Sequence, residues 1–194
     1  MEKEEVDKVV EEMLNTTREF LSYAMKKSGI RGDLKALGSK VSFVMNDNKM
    51  KSFFMGEYIT PNEVNPSGEI RLYIDAIISY AEYLGVDYWS TITKVLFCQV
   101  HHALTWESKN KFDFDKAEKF ASKICKKLVK QKIITDLRPK MYINTSDRLV
   151  LTARQKWIEK WLGMGFEEAM QMLHESENPE TVPMDTVDEN NTGT

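Results

Sequence analysis

The sequence predicts an α+β fold in which a small, mostly antiparallel sheet lies between helical segments of the chain. Three observations lead to this class. Between residues 41 and 75, short apolar segments have the pattern of strands, and in EIRLYID the apolar residues Ile70, Leu72 and Ile74 occupy every second position. The segments before and after this region have the apolar spacing of amphipathic helices. Turn-forming residues in Asn46–Lys49 and Pro61–Gly68 divide the region into three short strands.

Length and composition are those of a single globular domain. The chain has 194 residues, of which 42% are apolar, enough to form a hydrophobic core. A charged fraction of 29% with a net charge of -3 excludes a strongly basic protein whose overall field would attract polyanions. The acidic N-terminus is unlike a secretory signal, and no apolar run approaches the length of a membrane span. Two cysteines form no disulfide framework, so we expect a cytoplasmic protein that does not bind membranes.

The chain divides into three parts by composition. Residues 1–30 form an N-terminal helical part, in which an amphipathic helix from Glu2 to Lys27 ends at Ser28 and Gly29. Residues 31–174 form the main domain. Residues 175–194 consist largely of Glu, Asp, Asn, Thr and Pro, so we expect a disordered acidic tail.

The strands are predicted to form a hairpin followed by a third strand. The hairpin runs from Val41 to Ile59 around the turn at Asn46–Lys49, and the third strand is EIRLYID, residues 69–75.

Helices and a second, small hairpin follow. In chain order, we predict a helix Asp75–Leu84 closed by Gly85, a helix capped by Asp87 that runs to Trp106, a helix Asp115–Gln131, a hairpin Arg138–Leu151, a helix Thr152–Leu162 and a helix Phe166–His174.

The segment Val95–Leu104, VLFCQVHHAL, combines apolar helical character with side chains that can bind a metal. Cys98 and His102 are four residues apart, so on a helix they project from one face, the spacing of a two-ligand metal grip. The same spacing occurs in the zinc motif HExxH, whose histidines bind zinc and whose glutamate is the general base. In that frame Cys98 takes the place of the first histidine, Gln99 that of the glutamate and His102 that of the second histidine.

The order of hairpin, edge strand, helix, motif-bearing helix and acidic-starting helix resembles the core of zincin-type metallopeptidases, in particular the thermolysin-like branch. The resemblance covers Lys40 to Lys132, about half the chain, and includes Ala103-Leu104 after His102 and the pattern Ala117, Phe120, Ala121. It implies a sheet that backs the active-site helix and an edge strand that holds extended substrate.

Carried over residue by residue, the resemblance makes His102 a zinc ligand, Cys98 a replaced ligand and Gln99 a replaced general base. The third ligand of the thermolysin-like branch falls here on Lys116, so an acid such as Asp115, Asp113 or Glu118 would have to substitute. An amide cannot accept a proton from water near neutral pH, and general-base catalysis contributes roughly 10²- to 10⁴-fold in rate. The resemblance therefore implies a metallopeptidase-like protein that has lost catalysis and acts by binding a protein partner or itself, without a cofactor.

Two alternatives remain open. The first is an atypical metal-dependent peptidase in which Cys98, His102 and Asp115 hold zinc. The second is a non-specific nucleic-acid-binding protein that uses a lysine-rich face of the helix Asp115–Gln131. Because the chain is acidic and has no arginine clusters, we expect this face to be solvated and do not expect a nucleic-acid partner. Its central residues are Lys119, Lys123, Lys126 and Lys130.

Overall fold

The structure of the protein is a computed structural model, which describes residues 3–30, 41–45, 48–49, 54–64, 66, 68–106, 113–135 and 148–177. These residues form six helices and a three-stranded sheet, which confirms the predicted α+β class. The elements are α1 Lys3–Ser28, β1 Val41–Val44, β2 Gly56–Ile59, β3 Glu69–Tyr73, α2 Ile74–Leu84, α3 Tyr88–Trp106, α4 Phe114–Lys130, α5 Arg148–Leu162 and α6 Phe166–Glu177.

The strand order is β1–β3–β2, so the predicted hairpin Val41–Ile59 is wrong. β3 lies between the other two strands, pairing in parallel with β1 and antiparallel with β2, and the sheet is mixed rather than mostly antiparallel. The reason is burial: Ile70 and Leu72 of β3 are fully buried, whereas the residues of β1 are only partly so. The strand with the most deeply buried side chains takes the central place, where its backbone pairs with a strand on each edge.

The polar residues that alternate with this core form a network across all three strands. Glu57 accepts a hydrogen bond from the Tyr73 hydroxyl at 2.6 Å and pairs with Arg71 at 3.4 Å. Arg71 also lies 3.8 Å from Glu69, which accepts a hydrogen bond from Ser42. Burial and the bond to Glu57 raise the pKa of Tyr73 to about 12, so this phenol stays protonated and keeps donating.

The end of α2 and the start of α3 lie at the capping residues that the sequence predicted. Gly85 has φ 63° and closes α2, because its N–H and that of Val86 donate to the last carbonyls of the helix. The Asp87 carboxylate then accepts a hydrogen bond from the Ser90 N–H at 2.8 Å, as expected of an N-cap. The Leu84-to-Asp87 boundary could therefore be predicted from local chemistry.

Helix α4 begins at Phe114 because the Asp113 side chain, not Asp115, caps it by accepting a hydrogen bond from the Lys116 N–H at 3.0 Å. At the other end Lys132 has φ 58°, a left-handed conformation that glycine usually supplies. The Lys132 N–H donates to Val129 and the Ile133 N–H to Leu128, the two-bond arrangement of a Schellman motif. The helix thus ends at this position without a glycine.

The C-terminal helices differ from the prediction in one element. Residues 148–151, predicted to lie in a second hairpin, begin helix α5. The rest of that hairpin, residues 138–147, lies outside the described residues. As a helix, α5 brings Trp157 into the core, where its ring contacts Tyr80 at 4.9 Å and its N–H donates to Ser79 at 3.2 Å. Helix α6 continues to Glu177, so the predicted tail begins inside it, and residues 178–194 lie outside the described residues.

Candidate functional site

The segment that resembles a zinc motif lies in α3, at the centre of the protein. This helix packs against β2 and β3 on one side and against α4 on the other. Every residue from Ser90 to Val100 is buried. Polar side chains in such a segment need internal partners, because an unpaired buried polar group is costly.

One row of α3 side chains, Val95, Gln99 and His102, faces the sheet and is called the sheet row below. The Gln99 amide donates a hydrogen bond to the Gly56 carbonyl at 2.9 Å, and only 4% of Gln99 is exposed. The His102 ring meets the Tyr58 ring edge-on, with centroids 5.5 Å apart. Gly56 permits this close packing, since a Cβ atom there would lie 3.0 Å from Val95 Cγ1.

A second row, Lys94, Cys98 and His101, faces α4 and is called the α4 row. The Lys94 ammonium forms an ion pair with the Glu118 carboxylate, and these side chains are 4% and 11% exposed. Ser122 donates a second hydrogen bond to Glu118 at 3.2 Å. Above this pair, the Cys98 thiol lies 3.7 Å from the Ala117 carbonyl, and the His101 ring lies 5.2 Å from that of Phe120.

Both cysteines are buried in the surroundings of this ion pair. Burial raises the pKa of Cys98 well above its usual value; the Glu118 charge adds to the rise and the Lys94 charge opposes it. Burial likewise raises the pKa of Cys125 to about 12. The thiolate is the form that attacks electrophiles and binds metals. Near neutral pH, neither thiol of this cluster is in that form.

Burial also determines the protonation state of the two histidines, His101 and His102. It lowers the pKa of His101, although the nearby Asp113 carboxylate opposes this change. It lowers the pKa of His102, and the proximity of His101 lowers it further. Among the described residues, the buried Nδ1 atom of His101 has no hydrogen-bond partner. Both rings therefore favour the neutral form, which suits packing as well as ligation.

The structure does not bring the predicted zinc ligands together. Cys98 packs against α4, His102 contacts β2, and Asp115 lies on the exposed surface of α4. Four residues advance a helix by about 400°, so Cys98 and His102 differ by about 40° around α3, and the boundary between its two neighbours falls within that angle. Throughout the described ranges, no three side chains of His, Cys, Asp or Glu are grouped so that they could hold a metal ion.

The other acids considered as substitute ligands have different tasks. Asp113 caps α4 and lies 3.2 Å from the Lys116 ammonium, while Glu118 is paired with Lys94. The Lys94–Glu118 pair was not predicted. Its signal in the sequence is a lysine inside the apolar run ITKVLF, one helical turn before Cys98, where a solvated lysine has no place.

The lysines of α4 lie where their spacing predicted, opposite the buried side of the helix. All of them are exposed, and the buried side is formed by small and apolar residues. The exposed residues are Lys116, Lys119, Lys123, Lys126, Lys127 and Lys130, and the buried ones are Ala117, Ala121, Ile124, Cys125 and Leu128.

Comparison with known proteins yields no relative. No protein-family model matches the chain, no curated protein matches it, and no solved structure matches its fold. The zincin-type resemblance therefore remains a prediction that depends on the α3 motif and the order of elements. Separately, none of the helices within the described residues is long and apolar enough to cross a membrane.

Proposed function

We propose that this chain is a metallopeptidase-like protein without peptidase activity, which acts by binding a protein partner or a second copy of itself. The hydrogen bond from the Gln99 amide to the Gly56 carbonyl is the observation that carries the proposal. Gln99 occupies the position of the general base in the HExxH frame. Its amide is engaged with the backbone of β2 and shielded from water.

The chemistry of that position supports a loss of catalysis. A general base must reach the attacking water and accept its proton within about 2.6–3.2 Å. Gln99 has no acceptor that titrates near neutral pH, and its N–H points to a carbonyl instead of an open cleft. Hydrolysis through this residue is therefore not expected.

The charge next to Cys98 supports the absence of a tightly bound divalent metal. The Lys94 ammonium already neutralises Glu118, and it is almost fully buried. A divalent cation beside Cys98 could use Glu118 as a ligand only by taking it from Lys94, which would leave the ammonium buried without a counter-charge. It would also have to remove the proton from a thiol whose pKa is raised.

The proposal is tested by measuring metal content and peptidase activity on the full chain. After purification with zinc and extensive dialysis, we expect far less than one zinc per chain and no zinc-dependent cleavage of labelled casein. His101→Ala serves as the matched control for His102→Ala, since the two histidines are adjacent but face different elements. One zinc per chain that is lost in His102→Ala and kept in His101→Ala would overturn the proposal.

The binding part of the proposal has a separate measurement. Sedimentation velocity over a wide range of protein concentration shows whether the chain associates with itself. A dimer that forms reversibly with concentration would identify a second copy as the partner. A monomer at every concentration would eliminate self-association and restrict the proposal to a different protein.

A further inference from the structure

The outer surface of α4, called the lysine face below, is strongly cationic because six exposed lysines lie on it. Its six lysines lie within about 100° of the helix circumference and extend over about 21 Å, at 100° and 1.5 Å per residue. Two of them have partners: Lys116 pairs with Asp113 at 3.2 Å, and the Lys127 ammonium donates to the Ser28 carbonyl at 2.9 Å.

The other four lysines are available for a partner. Lys119, Lys123, Lys126 and Lys130 line a shallow groove along α4, together with Asp115, Glu118 and Ser122. Within the described part of the chain, none of these four forms an ion pair. Like charges one helical turn apart destabilise a helix. A bound anionic segment would reduce the repulsion between these lysines.

The sequence itself contains a segment of complementary charge. Residues 178–194 contain Glu180, Asp185, Asp188 and Glu189 and no lysine or arginine. The whole chain has a net charge of -3, so the remainder has a net charge of -3 + 4 = +1. The C-terminal segment is therefore anionic, and its charge is complementary to that of the lysine face.

The segment is also long enough to reach α4. It follows α6 directly, and 17 extended residues span at most about 56–61 Å. A folded domain of about 180 residues has a radius of gyration of about 16 Å, so most of the surface of such a domain lies within this reach. Tethering gives it an effective concentration in the millimolar range, which a separate acidic peptide or a nucleic acid would have to exceed.

We propose that the C-terminal segment, residues 178–194, docks on the lysine face of the same chain. The contact consists of exposed charge pairs in which four carboxylates meet four ammonium groups. Such pairs are individually weak and strongly screened by salt. The docked segment shields the lysine face from other polyanions and is displaced at high ionic strength.

The buried cysteines make a site-specific test possible. Cys98 and Cys125 are 0% and 6% exposed with raised pKa values, so a cysteine introduced by Thr192→Cys reacts selectively with a nitroxide label in the folded protein. At low salt we expect this label to broaden the amide resonances of residues 119–130 and to leave those of residues 155–162 in α5 sharp. At 1 M salt, where the Debye length is about 3 Å, the broadening is expected to disappear.

Charge variants of the full chain separate docking from chance proximity. Replacement of Lys119, Lys123, Lys126 and Lys130 by glutamine should abolish the broadening. Lys156→Gln with Lys160→Gln, which removes exposed lysines from α5, should leave it unchanged and is the matched control. Broadening that is absent, uniform over the protein or unaffected by the α4 replacements would overturn the proposal.

Two further measurements exclude other occupants. In a mixture of spin-labelled chains and isotope-labelled chains without a label, broadening of α4 would show that the segment docks on a second copy, and the proposal would fail. Broadening that appears only after nuclease treatment would show that the lysine face is occupied by nucleic acid, and this result also contradicts the proposal.

Discussion

The two rows of α3 belong to one buried helix, yet they satisfy their polar groups in different ways. The sheet row uses a neutral hydrogen bond, from the Gln99 amide to the Gly56 carbonyl. The α4 row uses two full charges, Lys94 and Glu118, with a thiol above them. Residues that are neighbours in the sequence therefore belong to two separate environments, one neutral and one ionic.

The difference between the two rows shows how residues in a metal-binding type of motif can have structural roles. Gln99 and Lys94 each have a structural role that needs no metal: the Gln99 amide binds the edge of the sheet, and Lys94 supplies the positive charge that Glu118 requires. Removing one member of an ionic pair leaves a buried charge, whereas removing a neutral group leaves only an unpaired carbonyl. The two rows should therefore differ in their sensitivity to mutation.

The largest expected effect is on the α4 row. We expect Glu118→Gln to lower the free energy of unfolding by about 3–5 kcal/mol, because it leaves the Lys94 ammonium buried without a counter-charge. The double variant Lys94→Met with Glu118→Leu should recover much of this loss, since it removes both charges together. Urea unfolding followed by tryptophan fluorescence measures both quantities. A double variant no more stable than Glu118→Gln would show that the charges themselves do not cause the loss.

A smaller effect is expected on the sheet row. Gln99→Leu leaves the Gly56 carbonyl unpaired and should cost about 1–3 kcal/mol, less than Glu118→Gln. The same urea titration compares the two. If Gln99→Leu costs more than Glu118→Gln, the distinction between a neutral and an ionic row has no energetic basis.

Gln99→Glu restores the glutamate of the HExxH frame and should destabilise the protein in a pH-dependent way. The new carboxylate would face the Gly56 carbonyl oxygen, which cannot donate a hydrogen bond to it. The folded-state pKa of Glu at this position should therefore rise above the ordinary value of about 4.3. Only the protonated acid can donate to that carbonyl. Relative to the parent chain, the variant should be most stable below pH about 4.3 and lose stability as the pH rises through the folded pKa. A difference in stability that does not change with pH would contradict this expectation.

The smallest effect concerns the histidines, one in each row. Burial lowers the pKa of both rings, so the unfolded chain binds more protons, and stability falls as the pH drops below about 6.5. Asp113 opposes the shift of His101, whereas no carboxylate is among the causes for His102. We therefore expect His102→Phe to flatten the pH dependence of unfolding more than His101→Phe. If His101→Phe flattens the pH dependence more, the ring of His101 in the α4 row is the more strongly desolvated of the two.

The helical elements of the fold could be predicted because local residues determine them. Gly85 and Asp87 fixed a helix end and a helix start, and periodicity alone placed the lysines of α4 on its exposed side. The order of the strands could not be predicted in this way, since alternation identifies a strand but not its partner. Residues 148–151 were assigned to a strand because a short apolar run is ambiguous between the two structures.

The site itself could be predicted only in part. The sequence identified α3 as the helix that carries the polar residues, and the spacing of Cys98 and His102 correctly placed them one turn apart. It could not show that the boundary between β2 and α4 separates these two side chains. The partner of Lys94 is equally non-local, since Glu118 belongs to another helix, and only tertiary packing brings the pair together.

The parallel pairing of β1 with β3 has a consequence for how the protein is made. Val41 pairs with Ile70, a separation of 70 - 41 = 29 residues, whereas β2 and β3 form a local hairpin. Closing the longer loop costs more entropy, and β1 leaves the ribosome before its partner exists. We expect folding-rate measurements to give low φ-values for Val41→Ala and higher ones for Ile59→Val. The strand that is synthesised first is then the one incorporated last.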